Sequence, residues 1–486
     1  MGGDGAVTSV LDVEIHVPLV VDLDGTLTLS DTLYESFAKF LFQNPVAALS
    51  CALHLTRGSA AVKRYIAEHC RLDPQTLPYR SELIEIVKAE AARGRAVHLV
   101  TAADQTIADD VARHLGLFAS AAGSDGRLNL KGPNKLGYLR EKFPGGYIYA
   151  GDGSADLPVF RGARGVVLCD VAGSTAAKVA EAGVPVLATL RRTSNPAQAW
   201  RRALRAHQWA KNLLLFVPLF VGHAFGDPRA IASSALGFAL LCLLSSATYI
   251  VNDLADLEAD RAHATKRLRP FASGGLKIIH GLIAAPLMIA VALAGAVALS
   301  PPFAGTLLVY LVLTTAYSFG LKRVALLDVF VIGILFTLRI VMGAEVVGLA
   351  HSAWLLSFAL AFFISLALSK RHGEVMRAAS ADAGEIAGRG YRGNDWAVTL
   401  SFGIGVGLVS IVIMLLYMTN DAAPSGFYHQ PGLLYAIPAL LTLWLMRIWL
   451  LSNRMLLHDD PVVFALRDAA SLSLGLAVAV SFYLAL

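Results

Sequence analysis

The sequence predicts a two-part chain, an α/β domain with a parallel sheet followed by an all-α membrane bundle of nine transmembrane helices. Three observations predict it. The 486 residues are 56% hydrophobic and 16% charged, against roughly 25% charged in an ordinary soluble domain, and mean hydropathy is +0.58. Charge is divided unevenly: residues 1–195 hold 20 Lys and Arg against 21 Asp and Glu, a net of −1, whereas 196–486 hold the remaining 21 against 15, a net of +6. Short β-branched runs alternate with charged helical stretches in the first part, and long apolar stretches replace them from 212 onward. These features exclude intrinsic disorder, a coiled coil and a wholly soluble enzyme.

In the first part, the apolar runs 18–24, 96–102, 147–152, 165–170 and 184–189 have strand length, with helical segments such as 80–93 and 104–115 between them. Such alternation predicts a parallel sheet covered on both faces, with chemistry at the carboxyl ends of its strands. Asp22 and Asp24 close the first run and Asp152 ends the third. The opening MGGDGAVTSV lacks a signal-peptide pattern, and Ala6 stands where myristoylation expects Ser or Thr. Cys51, Cys70, Cys169 and Cys242 form no C-x-x-C pair, so a reducing cytosol is expected for this domain. The expected division is a cytosolic domain over 1–190, a basic linker helix over 191–211 and the bundle over 212–486. Ser194 or Asn195 would cap the linker helix with Pro196 at its first position. Its Trp200, Leu204 and Trp209 lie near one face, with Arg201, Arg202 and Arg205 elsewhere, which suits the headgroup region of a bilayer.

The nine apolar stretches are 212–226, 231–251, 281–299, 303–320, 325–347, 352–369, 398–418, 432–451 and 469–486, most of them near the roughly 20 residues that cross a bilayer. Loops after the even-numbered spans carry Arg261, Lys266, Arg267, Arg269 and Lys277, then Lys322 and Arg323, then Lys370, Arg371, Arg377, Arg389 and Arg392, then Arg454 and Arg467; loops after the first four odd-numbered spans carry Arg229 alone. The positive-inside rule puts the basic loops and the first domain in the cytoplasm, and nine crossings put the C-terminus outside. A multi-pass protein of the cell (inner) membrane is expected. The glycine-rich stretch 388–396 could fold over a phosphate, but an exposed loop is its commoner meaning.

The first strand ends in DLDGT at 22–26. Two carboxylates two residues apart on an extended backbone share one side, where one can attack phosphorus while the other moves the leaving-group proton. Asp152 and Asp156 in GDGSAD offer hard oxygen ligands for Mg²⁺, Thr101 a hydroxyl, and Lys135 or Lys131 a positive charge. With these motifs in order, residues 15–190 resemble the phosphatase branch of the haloacid dehalogenase superfamily. The resemblance implies a Rossmann-like fold with a small helical cap before Ala102. Asp22 would be the nucleophile and Asp24 the general acid/base, with Thr101 and Lys135 on the phosphoryl oxygens. Asp22, Asp24, Asp152 and Asp156 would lie about the metal.

The second span runs into NDLADLEAD at 252–260. Asp253, Asp256 and Asp260 at i, i+3, i+7 fall within about 60° on one helical face, with Asn252 at its edge. Three converging carboxylates call for a divalent cation, and Lys266, Arg267 and Arg269 follow to grip phosphate oxygens. NDxxDxxxD, with the span count, resembles the UbiA prenyltransferase superfamily over roughly 200–486. The usual second acidic motif is replaced by a stretch holding Lys322, Arg323, Asp328 and Arg339. That departure, with QWAKN at 208–212 (including Lys211) and SKRHGEV at 369–375, is similar to the decaprenyl-phosphate phosphoribosyltransferase branch.

The resemblance implies Mg²⁺ in both domains. Asn252, Asp253, Asp256 and Asp260 would hold it in the second, the three aspartates also being counted as catalytic. Phosphate and ribose contacts would come from Lys211, Lys266, Arg267, Arg269, Lys322, Asp328, Arg339, Lys370 and Arg371. Asp328 and Arg339, eleven apart on one helix, are expected on a common face. The implied reaction transfers phosphoribose from 5-phosphoribosyl 1-diphosphate to a polyprenyl phosphate, and the phosphatase domain then removes the 5-phosphate. The alternative is an aromatic prenyltransferase using an isoprenyl diphosphate, with a separate small-molecule phosphatase. The expected partners are these substrates and the lipid bilayer, and no nucleic acid; a homo-oligomer is left open.

Overall fold

The computed structural model describes residues 11–56, 58–125, 127–192, 195–380, 386, 388–457 and 460–486. It divides into two compact units: one runs to Leu204 and also contains Tyr249–Ala285, and the other comprises Arg205–Thr248 and Pro286–Leu486.

The first unit is built on six parallel strands, β1 Leu19–Val21, β2 Val97–Asp104, β3 Ser120–Ser124, β4 Ile148–Gly151, β5 Gly165–Cys169 and β6 Val186–Leu190, in the order β3-β2-β1-β4-β5-β6. Five of them fall on the apolar runs; β3, with sequence SAAGS, has no large side chain to announce it. Alternate residues feed two cores, as a pleated strand requires. Leu19, Val21, Leu99 and Ile148 pack on one face, and Val20, Val100, Tyr149 and Val166 on the other. The order reverses between β1 and β4, the switch point where ligands bind in open α/β sheets, and Asp22 and Asp152 stand at those two strand ends. Between β1 and β2 a helical insertion including Thr32–Gln43 and Ser59–His69 makes its own small core of Phe40, Cys51, Ile66 and Cys70.

The segment 249–285 is fastened to this domain by polar bonds. Arg261 pairs with buried Glu35 through both guanidinium ends, Lys39 pairs with Glu258 at 2.6 Å, and Arg192 donates to the carbonyls of Gly274 at 2.6 Å and Leu29 at 2.7 Å. Gly274 has φ +72°, and a Cβ there would lie 2.5 Å from that of Leu29. Only glycine permits so close an approach.

The linker helix is shorter than expected, spanning Pro196–Ala203; Asn195 caps it by accepting from the Ala197 N–H at 2.9 Å. The alternative cap Ser194, and the opening ten residues, lie outside the described residues.

In the second unit the first expected span, 212–226, is not a single helix. It is a 3₁₀ run Ala206–Phe216, a short α-helix Val217–Val221 and a 3₁₀ turn Ala224–Gly226. Pro218 removes a donor, and His223 takes φ +54°. The run is wedged against the helix Leu327–Val347, where a Cβ on Gly343 would lie 2.0 Å from the Leu215 carbonyl. Across the described residues, seven helical segments are long and apolar enough to cross a membrane: Pro228–Ala255, Ile278–Leu299, Pro301–Phe319, Leu327–Val347, Ala353–Ser380, Gly393–Ser425 and Pro431–Asn453. The last expected span is a 17-residue apolar helix, Ala469–Ala485. Helix Ala353–Ser380 outruns its expected end at 369, so Lys370, Arg371 and Arg377 sit on it rather than in a loop.

Candidate active sites

Beyond β1 the chain turns sharply at Gly25 (φ +71°), where a Cβ would fall 2.1 Å from an Asp152 carboxylate oxygen. That clearance lets the first and third motifs meet. Asp22, Asp152 and Asp156 each bring one oxygen within 4.8 Å of the others. Lys135 is buried among them, 3.0 Å from Asp22, 3.5 Å from Asp156 and 2.8 Å from the Tyr149 hydroxyl. Lys131 is exposed and lines the cavity wall, so the lysine inside the cluster is Lys135. Thr101 is fully buried, its hydroxyl accepting the Ala103 N–H at 3.0 Å, and the neighbouring Ala102 lines the cavity instead.

Four carboxylates against one buried lysine leave uncompensated negative charge. Burial raises Asp22 to about 6, although Lys135 opposes it. Burial and neighbouring Asp31 raise Asp24 to about 7, and burial with Asp22 and Asp156 raises Asp152 to about 7. The buried Lys135 is held above its usual range because Asp22 and Asp156 outweigh desolvation. The cluster opens into a cavity of about 620 Å³ whose walls include Lys63, Arg192 and the segment 277–280. A second layer fixes the first loop: Arg80 donates to the Thr26 and Gly25 carbonyls and pairs with Asp170, which also pairs with Arg192.

The NDLADLEAD acids lie in the same unit. The helix carrying Asp253 ends at Ala255 and a new one starts at Leu257, so one unbroken face is not formed. The i to i−4 backbone bonds nevertheless continue across the break, at 3.0 Å into Asp256 and 2.8 Å into Asp260. Asp253 and Asp260, both 2% exposed, converge on one nitrogen of Arg269 at 3.1 and 2.6 Å. Asn252 donates to Asp256 at 3.2 Å. Burial raises Asp260 despite Arg269. Arg269 thus bridges acids rather than standing apart as a phosphate clamp, while Lys266 and Arg267 are exposed on the following 3₁₀ turn.

In the second unit Asp328 and Arg339 are not partners. Asp328, fully buried, pairs with Arg371 at 2.8 Å and Arg389 at 3.6 Å and accepts from the Tyr391 hydroxyl at 2.7 Å. Arg339 is engaged by Asn212, the Leu335 carbonyl and the Tyr310 hydroxyl. Arg371 also pairs with Glu374. The glycine-rich stretch is exposed at Gly388, Gly390, Arg392, Asn394 and Trp396, as expected, with Tyr391 buried in its middle as an anchor. Lys211 pairs with Asp460 at 2.8 Å; burial alone would raise Asp460, but Lys211 and Lys370 hold it below its usual range. Lys322 lies on the 3₁₀ turn Leu321–Arg323. Sequence reasoning missed Asp460, Tyr391 and Arg389 as members of these clusters. Asp460 before Pro461 is visible as a helix cap, but its lysine lies 249 residues away.

Buried acids near a span's end and apolar helices long enough to cross a membrane are features of a membrane-embedded transferase. The UbiA prenyltransferase family matches residues 215–466, more than half of the sequence, and the chain belongs to that family. It is 49% identical over 470 residues to the uncharacterized protein y4nM of Sinorhizobium fredii, covering 97% of this chain and 91% of that one. It is 30% identical over 293 residues to the nodulation protein NoeC of Azorhizobium caulinodans, covering 59% of this chain and 94% of that one. It is 35% identical over 186 residues to a decaprenyl-phosphate phosphoribosyltransferase of Corynebacterium glutamicum, covering 37% and 56% respectively.

Proposed function

We propose that the membrane bundle transfers phosphoribose from 5-phosphoribosyl 1-diphosphate to a polyprenyl phosphate, and that the α/β domain is a haloacid dehalogenase-type phosphatase that removes the 5-phosphate. The observation that carries the pairing is that one compact unit contains both acid clusters, Asp22–Asp24–Asp152–Asp156 and Asp253–Asp256–Asp260. The ribosyl assignment is supported by the likeness to the corynebacterial phosphoribosyltransferase, and the phosphatase assignment by Asp22, Asp24 and buried Lys135 at the sheet's switch point.

The geometry of the first cluster suits a divalent cation, and in this reading a second cation would neutralise the acids now bridged by Arg269. Three carboxylate oxygens lie within 4.8 Å of one another in the first, and two buried carboxylates share a single cationic nitrogen in the second. Asp22, Asp152 and Asp156 would hold Mg²⁺ in one, with Asp24 beside them, and Asp253, Asp256 and Asp260, with Asn252 beside them, in the other. Bound there, Mg²⁺ supplies neutralisation of phosphoryl and diphosphate oxygens.

In the transfer step the bond from ribose C1 to the diphosphate oxygen breaks, an oxygen of the lipid phosphate bonds to C1, and the diphosphate leaves. Lys266 and Arg267, exposed on the following turn, supply cationic contacts near the departing group, while Arg269 stays between Asp253 and Asp260. In the second step Asp22 attacks the 5-phosphoryl phosphorus, and Asp24 gives its proton to the ribose oxygen as the P–O bond breaks. Lys135 holds the phosphoryl oxygens. Water then attacks phosphorus, Asp24 takes its proton, and phosphate leaves Asp22. In this reading both steps occur on the cytoplasmic side of the cell membrane.

The test uses protein in detergent with Mg²⁺, polyprenyl phosphate and 5-phosphoribosyl 1-diphosphate labelled in the ribose. Label entering the lipid phase with wild type and not with Asp253→Asn is the expected result. Absence of lipid label, with transfer from an isoprenyl diphosphate to an aromatic acceptor, would replace the reading with aromatic prenyl transfer.

A further inference from the structure

One wall of the phosphatase cavity comes from outside the α/β fold. Lys277, Ile278, Ile279 and His280 line it together with Asp22 and Asp24. Lys277 precedes, and the other three begin, the helix Ile278–Leu299, one of the segments long and apolar enough to cross a membrane. The wall is a built feature. Arg192 ties the Gly274 carbonyl to that of Leu29, Arg261 holds both the Ala272 carbonyl, at 2.9 Å, and Glu35, and Gly274 lies directly on Leu29. Ile278 is buried, while Lys277 and His280 are exposed.

Of the other cations lining the cavity, Lys131 is exposed, and three more are engaged within the fold. Lys135 is inside the carboxylate cluster, Lys63 donates to the Ala102 carbonyl at 2.6 Å and to Asn129, and Arg192 pairs with Asp170. The Lys277 ammonium is exposed on the cavity wall, and its charge acts on Asp152 at the edge of the cluster. A cavity of about 620 Å³ also has room for more than the phosphoryl group at Asp22, since a water occupies only about 30 Å³ of liquid.

We propose that Lys277 and His280 form a second anion subsite, which holds the phosphodiester of a membrane-borne substrate while its phosphomonoester lies at Asp22. This rests on the reading of Asp22 as a phosphatase nucleophile and extends it: the domain selects a molecule carrying both a terminal phosphate and a lipid-linked phosphodiester. The first turn of a membrane helix is a suitable place for such a subsite, because a lipid-linked diester is held at the bilayer surface. Ribose 5-phosphate, a soluble sugar monophosphate, has no second phosphate to place there.

The test measures phosphate release by the full chain in detergent with Mg²⁺, from a short-chain prenyl-phosphoryl-ribose 5-phosphate and from ribose 5-phosphate. Wild type prefers the lipid diester, and Lys277→Ala/His280→Ala loses about tenfold of that preference, the size expected for a charge-assisted hydrogen bond. The loss falls in KM rather than kcat, and Lys277→Arg retains most of the preference. An unaltered preference in the double variant, equal losses on both substrates, or a wild type that treats the two alike would overturn the subsite. Phosphate release by Asp22→Asn at the wild-type rate would instead overturn the phosphatase reading beneath it.

Discussion

Replacing Lys135 by methionine removes the buried cation of the Asp22–Asp152–Asp156 cluster while nearly preserving side-chain volume. The ammonium is 3.0 Å from Asp22, a separation worth roughly 5 kcal/mol for unit charges at an effective dielectric near 20. Breaking a buried ion pair by removing one partner costs about 3–5 kcal/mol in practice. Lys135→Met is therefore expected to lower the thermal transition of the α/β domain at pH 7.5 without metal, and to recover part of it at pH 5.5, where carboxylates with raised pKa values take up protons. Hydrolysis of p-nitrophenyl phosphate should fall by about 10²–10³-fold, as when a preorganised phosphoryl or oxyanion contact is removed. Lys131→Met, at an exposed position, should lose less than about tenfold. Circular dichroism melts and phosphate release read both effects. A Lys135→Met protein with an unshifted melt and activity within threefold of wild type would refute the electrostatic account of the site.

Other outcomes follow from the same geometry. Burial pushes Asp22 up to about 6 and Asp24 and Asp152 up to about 7, from an ordinary carboxylate value of 3.8. The folded state thus binds more protons than the unfolded state through this window, and metal-free stability falls as pH rises from about 4 towards 7, by about 1.4 kcal/mol per unit for each proton so held. Calorimetry should show Mg²⁺ stabilising the protein more at pH 8 than at pH 5, and a larger effect at pH 5 would contradict this. Arg371→Met leaves fully buried Asp328 without its 2.8 Å partner and should destabilise the bundle by about 3–5 kcal/mol; adding Asp328→Asn should return part of it, checked by detergent melts. Arg269→Ala removes the cation shared by Asp253 and Asp260, so Mg²⁺ should become necessary for thermal stability of that variant, and a Mg²⁺-independent melt would count against the acids as a cation site.

Most of the sheet was legible because its strands are short apolar runs between charged helices. β3 was not, since SAAGS is recognised by its pairing with β2 rather than by its side chains. Length and apolarity revealed most of the long helices, but the first apolar stretch is shaped by its close approach to Gly343, which composition does not record. Within the sites, spacing drew attention to Asp22, Asp24, Asp152 and Asp156. It could not choose between Lys131 and Lys135, a distinction made by burial. Helical spacing suggested Asp328 with Arg339, whereas Arg371, 43 residues from Asp328, is the actual partner. Long-range pairings such as Lys211 with Asp460 and the tie from Arg192 to Gly274 leave no periodic signature in either segment.

The most direct test of the central claim is the mass of the lipid product made from polyprenyl phosphate, 5-phosphoribosyl 1-diphosphate and Mg²⁺ by wild type and by Asp22→Asn. The account predicts polyprenyl-phosphoryl-ribose from wild type and the same lipid carrying one additional phosphate from the variant. Identical products from the two, or no ribosylated lipid from either, would contradict it.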